Sequence, residues 1–199
     1  MGRTVCHGHP VAADEESGMI SFVKTPLPGV VVMQSEKAAD ARGYFTRLYC
    51  QQSFAAEKIN FTPQQNSLSH NPKAGTLRGM HFQREPAAEQ KLVTCLRGKI
   101  YDVAVDLRKE SPTYKKWFCA ELSAENGLGL FIPKGCAHGF ITLEDDTDVL
   151  YQIDGLYDPA AASGLRWNDP AFNIKWPRQP VVMSERDRDW ADYTGGPKP

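Results

Sequence analysis

From Ile20 onward, apolar residues fall in short runs separated by Gly, Pro and Asn: GVVVM, GYFTRLYC, KLVTCL, KIYDVAVDL, KKWFCAEL, GLFIP, HGFITL and DVLYQI. Runs this short, bounded by turn formers, predict many strands packed as an antiparallel sandwich or barrel, an all-β fold. KIYDVAVDL alternates Tyr101, Val103, Val105 and Leu107 against Asp102, Ala104 and Asp106, so one face of that strand is wetter than the other. Arg97-Gly98, between KLVTCL and KIYDVAVDL, carries a hairpin signal. In TLRGMHFQ, Met80 and Phe82 face one way and His81 and Gln83 the other. Arg78 shares the parity of Met80, so it reaches the His81 side only if Gly79 marks a bulge or a sharp twist. Two segments read as short peripheral helices: Ser53 to Ile59, with Ser53 placed to cap, and Ser184 to Asp192, where Ser184 and Asp187 have the spacing of a capping-box variant.

The first eighteen residues, MGRTVCHGHPVAADEESG, are small, polar and aperiodic. They predict a mobile extension over residues 1–18 ahead of one domain spanning 19–199, and a chain of 199 residues suits a single core. Cys6, His7 and His9 lack a fourth ligand and a scaffold, so they are assigned no metal. With 23 Lys+Arg against 24 Asp+Glu and no basic run, nucleic acid is not an expected partner. No apolar run approaches the roughly 18–20 residues needed to cross a bilayer, so no membrane partner is expected either. Five cysteines, an odd number without a C-x-x-C pair, and the lack of an apolar leader predict a reduced, cytoplasmic protein.

Two spacings carry chemistry. Gly75 stands six residues before His81, and Gly127 six before Pro133, which opens PKGCAH ending at His138. These resemble the two motifs of the cupin superfamily, which implies a double-stranded β-helix, or jelly-roll barrel. Metal-binding cupins take two histidines and a carboxylate from the first motif and a histidine from the second. Here Gln83 stands at the second histidine and Glu89, the nearest carboxylate, falls a few residues late. Two histidines with amide help make a poor transition-metal site, so no metal or other cofactor is expected.

A more specific resemblance runs through ARGYF, TLRGMHFQ, KLV, YDVAVDLRKESPTY, LSAEN, IPKGCAHGFITLEDDT, LYQ, WNDPAFNIKWP and MSERD. In this order they resemble the dTDP-4-dehydrorhamnose 3,5-epimerase family, cupins that need no metal. The resemblance implies inversion at carbons flanking the C4 ketone of a nucleotide-linked 4-keto-6-deoxyhexose, in deoxysugar biosynthesis. It assigns the base to His81, its orienting partner to Asp187, the opposite-face acid to Tyr151 and enolate stabilisation to Lys91. The chemistry explains these residue types: a proton beside a ketone leaves only to an aimed base with the enolate oxygen stabilised, and inversion brings the new proton from the other face. An imidazole, with an ordinary pKa near 6.5, is mostly neutral at pH 7, and a carboxylate on its far nitrogen fixes the tautomer.

Each residue has a plainer reading. His81 on an inner strand face could be a hydrogen-bonded core histidine, Tyr151 a packing tyrosine, Lys91 a solvated strand end, and Asp187 a helix cap. For binding, Arg78 and Arg42 suit a diphosphate, because guanidinium forks match phosphate oxygens in pairs. His138 and Gln83 are expected to line the pocket, with Gln65, Asn66, Tyr157 and Arg47 at its nucleotide end. Arg42 lies in an element that reaches a neighbouring subunit in the family, which implies a homodimer. Departures concern the nucleotide: Arg47 stands where many relatives have a glutamate, Leu156 where an aromatic often precedes Tyr157, and Gln64, Gln65 and Asn66 match the family's Gln-x-Asn only with an offset. Two alternatives are a metal-dependent cupin oxygenase or isomerase using His81, His138 and Glu89, and a catalytically silent sugar-nucleotide-binding cupin.

Overall fold

The computed structural model describes residues 20–195, and the extension expected over residues 1–18 lies outside them. In chain order the strands are β1 (Ile20–Lys24), β2 (Val31–Ser35), β3 (Lys37–Asp40), β4 (Gly43–Thr46), β5 (Gln65–Asn71), β6 (Leu77–Gln83) and β7 (Lys91–Arg97). They continue as β8 (Lys99–Asp106), β9 (Trp117–Ser123), β10 (Leu128–Ile132), β11 (Cys136–Thr142), β12 (Thr147–Ile153) and β13 (Ala162–Gly164). Two short helices, α1 (Gln51–Ala56) and α2 (Glu185–Arg188), lie outside the sheets.

Hydrogen bonding sorts the strands into a six-stranded sheet ordered β1-β2-β10-β7-β12-β5, a five-stranded sheet ordered β13-β6-β11-β8-β9, and a β3-β4 ribbon. The pairings between these strands are antiparallel. From β9 to β12 the chain crosses between the large sheets at each step. The two sheets face each other as a cupin-type jelly-roll barrel, the all-β class that the strand pattern implies. Arg97-Gly98 is a corner of this barrel and not a hairpin: β7 pairs with β10 and β12, while β8 pairs with β11 and β9. Gly98, at φ +73, supplies the left-handed turn that local sequence announced, but the partner of each strand is set by the sheet it joins.

One core fills the space between the sheets, with Val93, Leu130 and Val149 from one and Ile100, Ala104, Leu122 and Phe140 from the other. Both outer faces are also covered. Leu165 and Phe172, with Trp176, pack over the five-stranded sheet, and Phe54 and Phe61 pack over the six-stranded one. This double covering explains β8, in which Tyr101, Val103 and Val105 point outward under the C-terminal segments. The wetter face, with Ile100, Asp102 and Ala104, points into the barrel. Polar side chains therefore reach the interior without breaking the alternation of the strand.

The two helices differ from the sequence expectation in their ends. α1 begins at Gln51 with Cys50 as N-cap, so Ser53 lies inside the helix and makes no side-chain cap. Six residues cannot sustain a helix alone. Phe54 holds this one, its ring packed 4.8 Å from Phe22, 5.5 Å from Phe61 and 5.8 Å from Phe131. α2 ends at Arg188, well before Asp192, but Ser184 caps it as the spacing suggests, its Oγ accepting from the Asp187 N–H at 3.1 Å.

Candidate active site

The geometry at Gly79 brings the site together. Across β6 and β11, His138 faces His81 while Phe140 faces Arg78, so three steps along β6 span two along β11. Gly79 is the extra residue, at φ +124, and a Cβ there would sit 2.5 Å from the Gly139 Cα. Only glycine fits such a backbone approach. The added residue resets parity: Leu77 and Met80 point into the outer core, and Arg78 and His81 both line one cavity of about 540 Å³.

His81 and Asp187, 106 residues apart, meet there, with His81 Nε2 2.6 Å from Asp187 Oδ1. Asp187 Oδ2 accepts from the Gly79 N–H at 3.2 Å. Burial alone would raise the Asp187 pKa, but the His81 hydrogen bond and charge, the Gly79 amide and Ser184 together hold it below the ordinary carboxylate range. Asp187 is therefore ionised near neutrality and can only accept, so the facing Nε2 carries a proton, and in the neutral ring Nδ1 is then the nitrogen with the lone pair.

The opposite sheet supplies different chemistry. Tyr151 on β12 and Lys91 on β7 line the same cavity as His81. Burial pushes the Tyr151 phenol up, which keeps it a proton donor at neutral pH. Its ring packs nearly perpendicular to the His138 ring, with centroids 6.0 Å apart. Lys91 is no solvated strand end: its side chain is 8% exposed and its Nζ lies 2.9 Å from Glu89 Oε1, whose side chain is 10% exposed. A second histidine–carboxylate contact lies deeper, His138 Nε2 to Asp102 Oδ1 at 2.7 Å, with both residues buried.

The sequence similarity agrees with this geometry. The family model described as dTDP-4-dehydrorhamnose 3,5-epimerase matches residues 24–194. The chain belongs to this epimerase family. A dTDP-4-dehydrorhamnose 3,5-epimerase of Sinorhizobium fredii is 43% identical over 167 residues, covering 83% of this chain and 86% of that protein. One from Methanothermobacter thermautotrophicus is 42% identical over 181 residues, covering 88% and 96%. The solved structure of the Bacillus anthracis enzyme with TDP and PPi bound is 38% identical, with a TM-score of 0.85 over 87% of this chain and 99% of that one.

For a member of this epimerase family, the residues named from sequence divide in two. His81, Asp187, Tyr151, Lys91, Arg78, His138, Gln83 and Tyr157 line the one cavity. Arg78 is anchored by Nε donating to Asn71 Oδ1 at 2.7 Å, which leaves other guanidinium donors for an anion. Gln83 lies on the wall with its amide already engaged: Nε2 donates to Glu89 Oε2 at 2.8 Å, and Oε1 accepts from the Asp158 N–H at 2.7 Å. Arg42, Arg47, Gln65 and Asn66 do not line the cavity. Arg42 sits at the turn of the β3-β4 ribbon with its side chain 89% exposed and paired to Asp40, and Gln65 Nε2 donates to the Gly155 carbonyl at 2.9 Å.

The three donors of the metal-binding alternative each have another partner: His81 with Asp187, His138 with Asp102, and Glu89 with Lys91. Among the described residues no group of three or more His, Cys, Asp or Glu is arranged to hold a metal ion. Two features, one on the cavity wall and one behind it, escaped the sequence reading. Arg186 lines the wall beside Asp187, its guanidinium stacked 5.4 Å from the Trp190 ring. Asp102 supports His138, and its signal was visible as a carboxylate in the wetter face of an otherwise apolar strand.

Proposed function

We propose that the protein inverts both carbons flanking the C4 ketone, C3 and C5, of a dTDP-linked 4-keto-6-deoxyhexose, with His81 as base and Tyr151 as opposite-face acid. The carrying observation is that His81 projects from the five-stranded sheet and Tyr151 and Lys91 from the six-stranded one, onto one cavity. His81 Nδ1 takes the proton beside the ketone, and Asp187 stabilises the resulting imidazolium. The electron pair moves to the ketone oxygen, where the Lys91 ammonium offsets the enolate charge. The Tyr151 hydroxyl then gives a proton to the other face of the same carbon as the ketone re-forms; His81 returns its proton to water and the Tyr151 phenolate takes one up, and the reset pair acts at the second carbon.

Arg78 and Arg186, the cationic side chains of the cavity outside its three pairs with carboxylates, suit the diphosphate. The relatives named as 3,5-epimerases, up to 43% identical, support thymidine as the nucleoside and both carbons as targets. A homodimer belongs to the same reading: the β3-β4 ribbon leaves Tyr44 and Phe45 58% and 63% exposed beside Arg42, an apolar arm suited to a second copy. A cytoplasmic setting, suggested by cysteine usage, also belongs to it.

Incubating the protein with dTDP-4-dehydro-6-deoxyglucose in deuterium oxide tests the proposal by NMR. Deuterium is expected at both C3 and C5, with inverted product. Label at C3 alone would reduce the reaction to single inversion, and no label at either carbon would leave a silent binding protein. Sedimentation of the purified protein tests the dimer, which a monomer at micromolar concentration would refute.

A further inference from the structure

The Lys91 ammonium is not held by its strand alone. Glu89, two residues earlier on the same face, pairs with it through Oε1 at 2.9 Å, and neither side chain is more than 10% exposed. The other Glu89 oxygen accepts from Gln83 Nε2 at 2.8 Å. Gln83 in turn grips the segment that carries Tyr157: its Nε2 lies 3.1 Å from the Leu156 carbonyl, and its Oε1 accepts from the Asp158 N–H at 2.7 Å. The backbone packs to match, since a Cβ at Gly155 would lie 3.1 Å from the Glu89 Cβ. A continuous chain thus runs from Lys91 through Glu89 and Gln83 to both flanks of Tyr157, and all four side chains line the cavity.

We propose that Glu89 is a positioning residue for the epimerisation, fixing the Lys91 ammonium on the cavity wall and tying it, through Gln83, to the segment bearing Tyr157. The inference rests on the reading of Lys91 as the group that stabilises the enolate. A buried ammonium without a partner is costly to desolvate, and a flexible four-carbon stem would let it swing out toward water. An ion pair with one carboxylate oxygen uses one of three N–H donors and fixes the nitrogen in place. The remaining donors are then available to a developing oxyanion, and electrostatic stabilisation of this kind is effective only when the donor is already in position. Because the second Glu89 oxygen is engaged by Gln83, the carboxylate cannot rotate to follow the lysine. Glu89 makes no contact with the reacting carbons in this account, and it acts through Lys91.

The test is a double-mutant cycle on the full-length protein, because a residue that acts through another has no effect once that other is gone. Glu89→Gln keeps size and removes charge, and its kcat is expected to fall roughly tenfold. Binding of dTDP by calorimetry should change less than about twofold, because the diphosphate is held elsewhere. In a Lys91→Ala background the same change should cost nothing further. Glu89→Asp, which keeps the charge but shortens the reach, should fall between the wild type and Glu89→Gln, and it serves in the cycle should Glu89→Gln fail to fold. Full kcat in either Glu89 variant overturns the proposal while leaving the Lys91 role standing. Losses that multiply in the double variant also overturn it, since Glu89 would then act independently. Full activity of Lys91→Ala alone would instead remove the enolate-stabilising role, and the positioning role with it.

Discussion

Replacing Asp187 by asparagine preserves the shape of the His81 contact and removes its charge, and the structure shows that neither orientation of the amide can substitute. If the asparagine oxygen faces His81 Nε2, its NH2 group meets the Gly79 N–H, which Asp187 Oδ2 accepts at 3.2 Å in the native protein. Two donors then face each other in a buried site, leaving an unsatisfied N–H worth about 1–3 kcal/mol. If the amide flips, the NH2 group faces Nε2, which must now accept, and the imidazole proton moves to Nδ1, the nitrogen needed as base. In both orientations the imidazolium formed during proton abstraction loses the ionised partner that Asp187 presents at 2.6 Å, a contribution of about 1.5–3 kcal/mol. That loss raises the barrier directly, and in the flipped orientation the wrong tautomer adds to it, so kcat should fall roughly 10²–10⁴. Helix α2 should survive, because its cap uses the backbone N–H of residue 187. The assay is deuterium incorporation beside the ketone, followed by NMR at saturating substrate, with dTDP affinity as the folding control. An Asp187→Asn variant within tenfold of wild-type turnover would refute the assignment of the carboxylate as the partner of the base.

Tyr151→Phe is expected to separate two events: exchange of substrate hydrogen for solvent deuterium should continue through His81 while the inverted product fails to accumulate, and equal loss of both would remove Tyr151 from the acid role. Gly79→Ala should destabilise the protein by roughly 2–4 kcal/mol in urea titration, combining left-handed strain with the 2.5 Å approach to Gly139, and a change below about 0.5 kcal/mol would mean that the bulge tolerates a side chain. Asp106 is fully buried and accepts from Arg108, Ser111 and Thr113, and these bonds outweigh its burial to bring its pKa down to about 2. A depressed carboxylate pKa stabilises the fold above the unfolded-state value near 4 and loses that contribution as pH falls toward 2, so Asp106 should add about 2 kcal/mol at pH 7. Asp106→Asn should flatten the acid limb of the stability–pH curve by that amount, and an unchanged curve would show that the loop tolerates loss of the charge.

The strands were legible along the chain because a period of two and the Gly and Pro that interrupt it are local properties. So was the need for a bulge at Gly79, because Arg78 and His81 had incompatible parity. The Ser184 cap could be read in the same way from a spacing of three. Strand partners were not legible. Gly98 announced a turn, but whether that turn closes a hairpin or rounds a barrel corner depends on which sheet receives β7 and β8, a contest among contacts distant in sequence. The direction of the wetter face of β8 was equally undetermined, since it enters the interior only because the C-terminal segments cover the other face. The sequence named His81 and Asp187, and folding brought them within 2.6 Å across 106 residues. The plainer reading of Lys91 as a solvated strand end failed because its side chain is 8% exposed, a burial that periodicity along one strand does not reveal. Local periodicity thus marked the elements, and the resemblance of the motifs to a known family marked the residues that carry the chemistry. The cavity itself was decided by the closure of two sheets, because side chains from separate strands converge only when the barrel is complete.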